Sequence, residues 1–384
     1  MSLVPDRGGD PVPATGLYVH LPFCASRCSY CTFTVTTRRE LIPRYVAALE
    51  REPGLGSLPE GMRLATVYLG GGTPSQIPAP AIGRFLDRLL ARHPLLPGAE
   101  VTAEANPEDV TAELLAAWAA LGITRLSIGV QSFEDAELAV LDRRHDAPRA
   151  EAAARLALES GRFEVNLDLM LAVPGQDRRS LGRTLSKLLG LGPHHVSVYL
   201  LEMDKPHRLR ALHARAPERF PGEDAAAEAY LHVHDVLTGA GYEHYEVSNF
   251  ARPGHRSRHN LRYWLREPVH ALGAAAHGQA GNRRWANLDT VSGYLDAVES
   301  GTRPVAWENR LSALEALAEE VMLGLRLAEG VAEGRCEAAA RAIPAFGETL
   351  EAFSGLGYAE ADGGRVRLTP RGWLVSNELF AELV

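Results

Sequence analysis

From residue 17 to about residue 200, short β-rich runs alternate with amphipathic helical stretches, and this alternation commits the chain to βα units built around a parallel sheet. The strand candidates are 17–21, 66–69, 100–104, 125–128, 165–169 and 196–200, and helical patterns fall between them at 42–52, 82–92, 112–121, 149–160 and 180–189. Six strands joined by right-handed crossovers either close part-way into a barrel or lie as a doubly wound sheet. Both arrangements put ligands at the carboxyl ends of the strands, and the polar motifs gather there. Cys24 follows the first strand, Gly70-Gly71-Gly72-Thr73-Pro74 follows the second, Glu104 ends the third, Gln131 follows the fourth and Asp168 lies near the end of the fifth.

After residue 205 the alternation breaks down. A long helix is expected over about 224–238, then an aromatic and polar segment over 242–264, then further helices to about 327. The C-terminal part, with a helical pattern at 344–354, a strand-like run at 363–368 and a closing helix from Pro370, reads as a small winged-helix-like module. The chain of 384 residues, 46% hydrophobic, has enough apolar material for one large domain and this appendage. The expected division is a Pro- and Gly-rich flexible tail at 1–16, the βα unit at 17–205, an extension at 206–305 and the C-terminal module at 306–384. A net charge of −8 with dispersed basic residues argues against a nucleic-acid partner, so the C-terminal module is expected to pack or cover rather than bind DNA. The N-terminus has neither a secretory core nor an Arg-rich amphipathic pattern, and no stretch approaches a membrane span; the expected location is cytoplasmic.

Three of the four cysteines, Cys24, Cys28 and Cys31, fall within eight residues. The spacing C-x3-C-x2-C brings three thiolates to one iron–sulfur cluster and leaves one iron of a four-iron cluster without a protein sulfur. Two other readings compete. Positions i, i+4 and i+7 also form one face of a helix, where cysteine serves as apolar filler, but Pro22 precedes the run and Ser26, Ser29 and Thr32 interrupt it. A zinc site closes with a fourth Cys or His, which only His20 could supply, at an unusual offset. The cluster reading is the stronger, and cluster chemistry needs a reducing compartment.

The glycines at 70–72 allow close approach of backbone to a ligand, and Thr73-Pro74 stiffens the exit from the turn. The turn lacks the Lys of a phosphate loop and the spacing of a dinucleotide fingerprint. Glu104, in an apolar setting, is placed to accept from ribose hydroxyls or an amino group. Gln131, Arg143 and Asp168 fit polar readers of a charged ligand. Capping and surface ion pairing are the plain alternatives for all four.

These motifs together resemble the radical S-adenosylmethionine (SAM) superfamily, and more closely its branch of oxygen-independent coproporphyrinogen oxidase-like proteins. The resemblance rests on Tyr-x-His-Leu-Pro-Phe-Cys at 18–24, Cys-x-Tyr-Cys at 28–31, Gly-Gly-Gly-Thr-Pro at 70–74, Gly-Val-Gln-Ser-Phe at 129–133, Asn-Leu-Asp-Leu-Met from Asn166 and Pro-Gly-Gln to Gln176, and runs from Tyr18 into the C-terminal module. It implies an α/β fold, a partial (β/α)6 barrel of the radical SAM type with a smaller, mostly helical, winged-helix-like C-terminal region. It further implies that Cys24, Cys28 and Cys31 hold a [4Fe–4S] cluster whose free iron chelates the amino and carboxylate groups of SAM. By the same resemblance, Tyr18, Tyr30, Gly71, Gly72, Thr73 and Glu104 match positions that contact SAM. Gln131, Arg143, Asp168 and Glu202 match positions that line a second SAM or substrate region.

Within the branch, the decarboxylating oxidase carries a further cysteine two positions beyond the third and a longer N-terminal arm; here that position is Phe33. His259-Asn260-Leu261-Arg262-Tyr263-Trp264 instead looks like the HNxxYW motif of the branch's haem chaperones. Imidazole is a standard axial ligand for haem iron, and Tyr and Trp offer flat faces to a porphyrin. The haem-binding candidates are therefore His259, Asn260, Tyr263 and Trp264, with His244, His255 and His277 as rivals for the iron. Two local departures from the relatives are Leu141-Asp142-Arg143 in place of Leu-Gly-Arg and Ala172-Val173-Pro174 in place of Gly-Leu-Pro.

The resemblance implies a haem chaperone that binds cluster, SAM and haem and passes haem to an acceptor protein, respiratory or membrane-associated, with an electron donor such as a flavodoxin. No catalytic residue is assigned. The alternatives are a radical enzyme acting on a porphyrinogen and a radical SAM methyltransferase. Coproporphyrinogen oxidation is disfavoured by Phe33 and the short N-terminal arm, while reductive SAM cleavage stays open.

Overall fold

A computed structural model describes residues 14–384. The barrel part runs β1 (Thr15–Leu21), α1 (Ile42–Arg51), β2 (Leu64–Gly71), α2 (Ala79–Leu90), β3 (Leu95–Ala105), α3 (Ala112–Ala120), β4 (Arg125–Gln131), α4 (Asp135–Val140), α5 (Ala147–Glu159), β5 (Glu164–Leu171), α6 (Arg178–Leu191) and β6 (His195–Leu200). All six expected strands and the five expected helices are present, and β1 to β6 pair in parallel in sequence order. The tail expected at 1–16 lies mostly outside the described residues, and its last two, Thr15 and Gly16, already belong to β1.

Period-two alternation sorts each barrel strand into two faces. Leu17, Val19, Val67, Leu69, Val101, Ala103, Leu126, Ile128, Val165 and Leu167 are buried beneath the surrounding helices. The alternate positions are polar: Tyr18 and His20, Thr66 and Tyr68, Glu100, Thr102 and Glu104, Arg125 and Ser127, Asn166 and Asp168, His195 and Ser197. The barrel interior is thus a polar column, and the apolar core lies in the layer between strands and helices. Helix starts are set by local caps, as where Asp177 accepts from the backbone of Arg179 and Ser180 at the head of α6.

The middle of the chain departs from the expected run of helices. After α7 (Leu209–Arg215) and α8 (Glu223–Gly239) come β7 (Glu243–Glu246), β8 (Asn249–Ala251), α9 (Arg258–Trp264), β9 (Val269–Leu272), β10 (His277–Ala280), β11 (Arg283–Asn287), α10 (Val291–Glu299) and β12 (Val305–Arg310). These strands lengthen the barrel sheet at both edges, giving the order β12-β11-β10-β9-β1-β2-β3-β4-β5-β6-β8-β7. The short strands escape a periodicity reading because each holds only three to six residues, too few to display alternation.

The C-terminal module comprises α11 (Ala313–Gly324), β13 (Val331–Ala332), α12 (Glu333–Ala342), α13 (Pro344–Gly355), β14 (Ala359–Asp362), β15 (Arg365–Leu368), α14 (Pro370–Leu374) and α15 (Ser376–Ala381). Its three strands pair in the order β13-β15-β14 and close over a separate core of Val321, Phe346, Phe353, Trp373 and Leu379. This is the winged-helix-like pattern. No helix among the described residues is long and apolar enough to cross a membrane.

A buried carboxylate ties the β9 side to the barrel. Glu52, fully buried, accepts from Gly273 N (2.9 Å), Asn287 Nδ2 (2.7 Å) and Tyr294 OH (2.8 Å). Burial pushes its carboxyl up to about 7, against the pull of those three donors. A group with a raised folded-state pKa binds its proton more tightly in the native state, so stability falls as pH rises from the unfolded value towards the folded one. Relative to Glu52→Gln, the wild-type chain should lose up to about 3 kcal/mol of stability between about pH 5 and about pH 7, read by denaturant unfolding at each pH; parallel profiles would remove Glu52 as the cause.

Both departures from the relatives fall on left-handed backbone: Asp142 at φ +54° and Ala172 at φ +58°. Aspartate tolerates this region better than alanine does. Asp142 also pairs its carboxylate with Arg208 Nη2 at 3.0 Å. Ala172→Gly should raise stability by about 1 kcal/mol in urea unfolding by relieving the left-handed strain; a neutral or destabilising result would show that the strain is absent.

Candidate functional site

The cysteine loop leaves β1 and is gripped by the turn after β2. Gly72 N donates to Leu21 O (2.9 Å) and Thr73 N to Phe23 O (2.8 Å), while the Thr73 hydroxyl points at Cys24 Sγ (3.4 Å). A side chain at Gly72 would meet the backbone of residues 21–23 at 2.7–2.8 Å, and Gly71, at φ +106°, lies against the His20 ring. Only glycine fits either position. On its other side the loop is pinned by Ser29, whose hydroxyl donates to Val140 O (2.9 Å).

Arg143 bridges loop and strands. Its Nη2 donates to Asn106 Oδ1 (2.6 Å) and Gly129 O (2.7 Å), and its Nη1 reaches Tyr30 OH (3.4 Å) and Cys28 Sγ (3.5 Å). Gln131, held at φ +66°, folds beside it: a Cβ on Gly129 would fall 2.9 Å from Gln131 Nε2 and 3.2 Å from Arg143 Nη2. The three thiols are free and partly exposed. Burial pushes Cys24 up to about 11, opposed by the Thr73 hydrogen bond and the Arg143 charge, and burial also raises Cys31. Thiols in this state ionise when a metal centre takes them as ligands.

No three His, Cys, Asp or Glu side chains among the described residues converge on a single metal-ion position. A cubane places each thiolate on a separate iron, and the loop, with donors aimed at two of its sulfurs, fits that group better than mononuclear zinc.

Two carboxylates face the lumen below. Glu104 accepts from Tyr68 OH (2.8 Å) and Gly71 N (3.1 Å). Burial, with the charge of Asp168 added, lifts it to about 7. Asp168 accepts from Asn166 Nδ2 (2.7 Å) and Ser127 Oγ (3.2 Å), and burial lifts it to about 6. Partly desolvated carboxylates short of cationic partners suit a ligand that brings an ammonium. Tyr18 stands beside them, its hydroxyl 3.1 Å from His20 Nδ1.

Tyr18, Tyr30, Gly71, Gly72, Thr73, Glu104, Gln131, Arg143 and Asp168 therefore surround one rim with the cysteines. Glu202 does not join them: it is exposed and paired with Lys205. Four residues of the same rim were not counted in it from sequence, namely His20, weighed there only as a zinc ligand, Tyr68, Asn106 and Tyr199, the last 41% exposed yet within electrostatic reach of Asp168 and Glu104. The signal for three of them was polar residues at every second position of apolar strands, with Tyr68 and Glu104 each two steps from the next inward side chain.

The His259 motif lies at the opposite end of the barrel. Helix α9 covers the amino ends of the strands, where Arg258 N and His259 N donate to the Glu100 carboxylate (3.0 and 2.9 Å). His259 is 1% exposed; its Nδ1 lies 2.8 Å from Thr66 Oγ1, its ring packs on Tyr68 at 5.1 Å, and Nε2 has no hydrogen-bond partner among the described residues. Burial, then the Arg262 charge, lowers it to about 3, so it is neutral. Tyr263 packs edge-on to His259 at 5.6 Å, the Arg326 guanidinium covers the Trp264 ring at 4.5 Å, and Asn260 N donates to the capping Ser257 hydroxyl. Of the rivals, His244 is buried on Phe250 at 3.8 Å, His255 faces Glu164 at 3.4 Å, and His277 is exposed, edge-on to Trp307.

Residues 18–188 match the Radical SAM superfamily, and residues 311–375 the HemN C-terminal domain. Coproporphyrinogen III oxidase (HemN) from Escherichia coli, a solved structure, superposes with a TM-score of 0.82 at 22% identity, over 96% of this chain and 90% of that one, which shows a shared fold. Among curated proteins, the Heme chaperone HemW of Mycobacterium tuberculosis is 37% identical over 97% of this chain and 96% of its own length. That of Bacillus subtilis is 33% identical over 94% and 97%. With such identity along nearly the whole of both chains, this chain belongs to the HemW family within the radical SAM superfamily.

Proposed function

We propose that this chain is a haem chaperone that carries a [4Fe–4S] cluster and SAM at the cysteine rim, takes up haem through the α9 region and passes it to an acceptor protein. The observation that carries the reading is the union of both parts in one barrel: the cysteines, Glu104 and Asp168 at one end, and His259, Tyr263 and Trp264 closing the other. The curated relatives, which bear the name Heme chaperone HemW, support it.

Cys24, Cys28 and Cys31 would hold the cluster, with Thr73 and Arg143 donating to its sulfur ligands. Glu104 and Asp168 would take the ammonium of SAM, and Tyr18, Tyr30 and the Gly71–Gly72 backbone would wall the site. When bound, the cluster and SAM supply one-electron reductive chemistry, for which a donor such as a flavodoxin is the natural partner. His259 offers a neutral imidazole with an unused Nε2, the form that ligates iron. In the closed position α9 shuts it away, so haem reaches it only when the helix moves; His277, exposed beside the 47% exposed Trp307, is the competing ligand.

Phe33, 65% exposed, stands where the decarboxylating oxidase has a cysteine, and the one cysteine outside the loop, Cys336, is buried in the C-terminal module. A radical enzyme is the second reading, favoured by Tyr199, which leaves an open aromatic face beside Asp168.

Haemin titrated against wild type, His259→Ala and His277→Ala should give weakened or spectrally altered binding in His259→Ala. Identical spectra there, with the loss in His277→Ala, would move the ligand to the β10 surface. Anaerobically reconstituted protein with dithionite and SAM should leave coproporphyrinogen III unconverted, while 5′-deoxyadenosine formation reports whether SAM is cleaved. Substantial turnover of the porphyrinogen would replace the chaperone reading by the enzyme.

A further inference from the structure

Two lines of contact run through the polar column from the rim to α9. In the first, Asn166 Nδ2 donates to Asp168 Oδ1 (2.7 Å), Asn166 Oδ1 lies 2.6 Å from His195 Nδ1, His195 Nε2 lies 2.8 Å from Tyr245 OH, and Tyr245 OH accepts from Ser257 N (3.3 Å). Ser257 is the N-cap of α9, its hydroxyl accepting from Asn260 N. Donor accounting fixes every proton in this line. Asn166 Oδ1 can only accept, so His195 Nδ1–H donates to it; burial keeps the ring neutral, which leaves Nε2 to accept from the Tyr245 hydroxyl, whose oxygen accepts from the Ser257 amide. Asn166, His195, Tyr245 and Ser257 are each at most 4% exposed, so the line runs through the interior. In the second line, Tyr68 donates to Glu104 (2.8 Å) and packs its ring on His259 at 5.1 Å and 30°. The carboxylates that begin the two lines are those assigned to the SAM ammonium, and both lines end on the helix of the His259 motif.

We propose that occupation of the rim by SAM is transmitted to the seat of α9 through these contacts, with His195 and Tyr245 as positioning residues that touch neither ligand. Glu104 divides its lone pairs between the column, at Tyr68 OH, and the rim, at Gly71 N, while the bonds of Asp168 run to the column alone, at Asn166 and Ser127. A ligand ammonium redirects a carboxylate oxygen towards itself, and the buried donor it leaves must follow or go unpaired, which in a buried site is costly. The line ends on a short element, a seven-residue helix held by its cap, by Glu100 and by the seat of His259 on Thr66 and Tyr68, and a change of pairing in the column is passed to that seat. The inference deepens the chaperone reading by giving haem binding at α9 a regulator at the far end of the barrel, and it rests on that reading for its purpose, though not for its test.

The experiment is amide hydrogen exchange over residues 259–264 of the full, cluster-loaded chain, with and without SAM, in wild type and Tyr245→Phe. Tyr245→Phe removes one hydroxyl from a buried position. SAM should change exchange in α9 by about fivefold or more in wild type, the low end of ordinary allosteric coupling. In Tyr245→Phe the change should shrink below about twofold while SAM affinity is retained. His195→Gln provides the same break should Tyr245→Phe fail to fold. SAM binding with unaltered α9 exchange, or an undiminished response in both variants, would overturn the proposal. No haem is present in this measurement, so it fails separately from the haemin titration. SAM-sensitive exchange in a chain that binds no haemin supports the coupling and discards the haem reading; haemin binding with insensitive exchange does the reverse. Where both hold, saturating SAM must change haemin affinity by the factor that haemin changes SAM affinity.

Discussion

The backbone grip of the Gly72–Thr73 turn on residues 21–23 decides the shape of the rim. Two amide-to-carbonyl bonds join the end of β2 to the exit of β1, and they bring the Thr73 hydroxyl to Cys24 and the Gly71 amide to Glu104. A loop of seventeen residues between β1 and the first helical turn would otherwise pay a large conformational cost to hold three thiols together. The grip works only because Gly71 and Gly72 carry no side chain, since both would strike the β1 exit. Arg143 completes the frame from the opposite side of the barrel, binding Gly129 and Asn106 while presenting its charge to Cys28 and Tyr30.

The barrel interior inverts the usual distribution of polarity. Parallel strands covered on both faces commonly read as unbroken apolar runs; here the inward positions are Tyr, His, Thr, Glu, Ser, Asn and Asp. Such a column is tolerated because its members satisfy one another, Asn166 Nδ2 donating to Asp168 and Ser127 while its Oδ1 accepts from the Ser197 hydroxyl. What remains unsatisfied is informative. Glu104 and Asp168 form no ion pair among the described residues and are raised by burial, against the more distant Arg143 charge at Asp168, and His259 keeps a ring nitrogen with no partner among those residues at the other end. The column thus keeps spare hydrogen-bonding capacity at both of its ends.

The extension after residue 242 acts on the barrel rather than beside it. Its strands continue the sheet past β1 and β6, Glu52 fastens the β9 exit to α1, and the loop before α9 caps the strand ends through Arg125, Glu164 and Glu100. The C-terminal module keeps its own core but touches this region, with Trp373 edge-on to His244 and Arg326 over Trp264. Helix α9 is therefore held between barrel and module, and a displacement of either is felt by the motif it carries.

The sequence by itself determined the six parallel strands, the helices between them, the cysteine tripod and the glycine turn, because each is written in local spacing: periodicity, backbone freedom and ligand count act over a few residues. The tertiary structure alone decided three things. It turned the tract after 242 into strands of the same sheet, which are too short to show a period and are stabilised by edge pairing. It set Glu202 outside the rim and brought His20, Tyr68, Asn106 and Tyr199 into it, since membership depends on which face a strand turns inward. It also buried His259 under the barrel floor, because the seat of α9 is made by Glu100, Thr66 and Tyr68, residues some 160 to 190 positions away along the chain. Local chemistry is legible in order along a chain; the pairing of distant faces is a property of the packed whole.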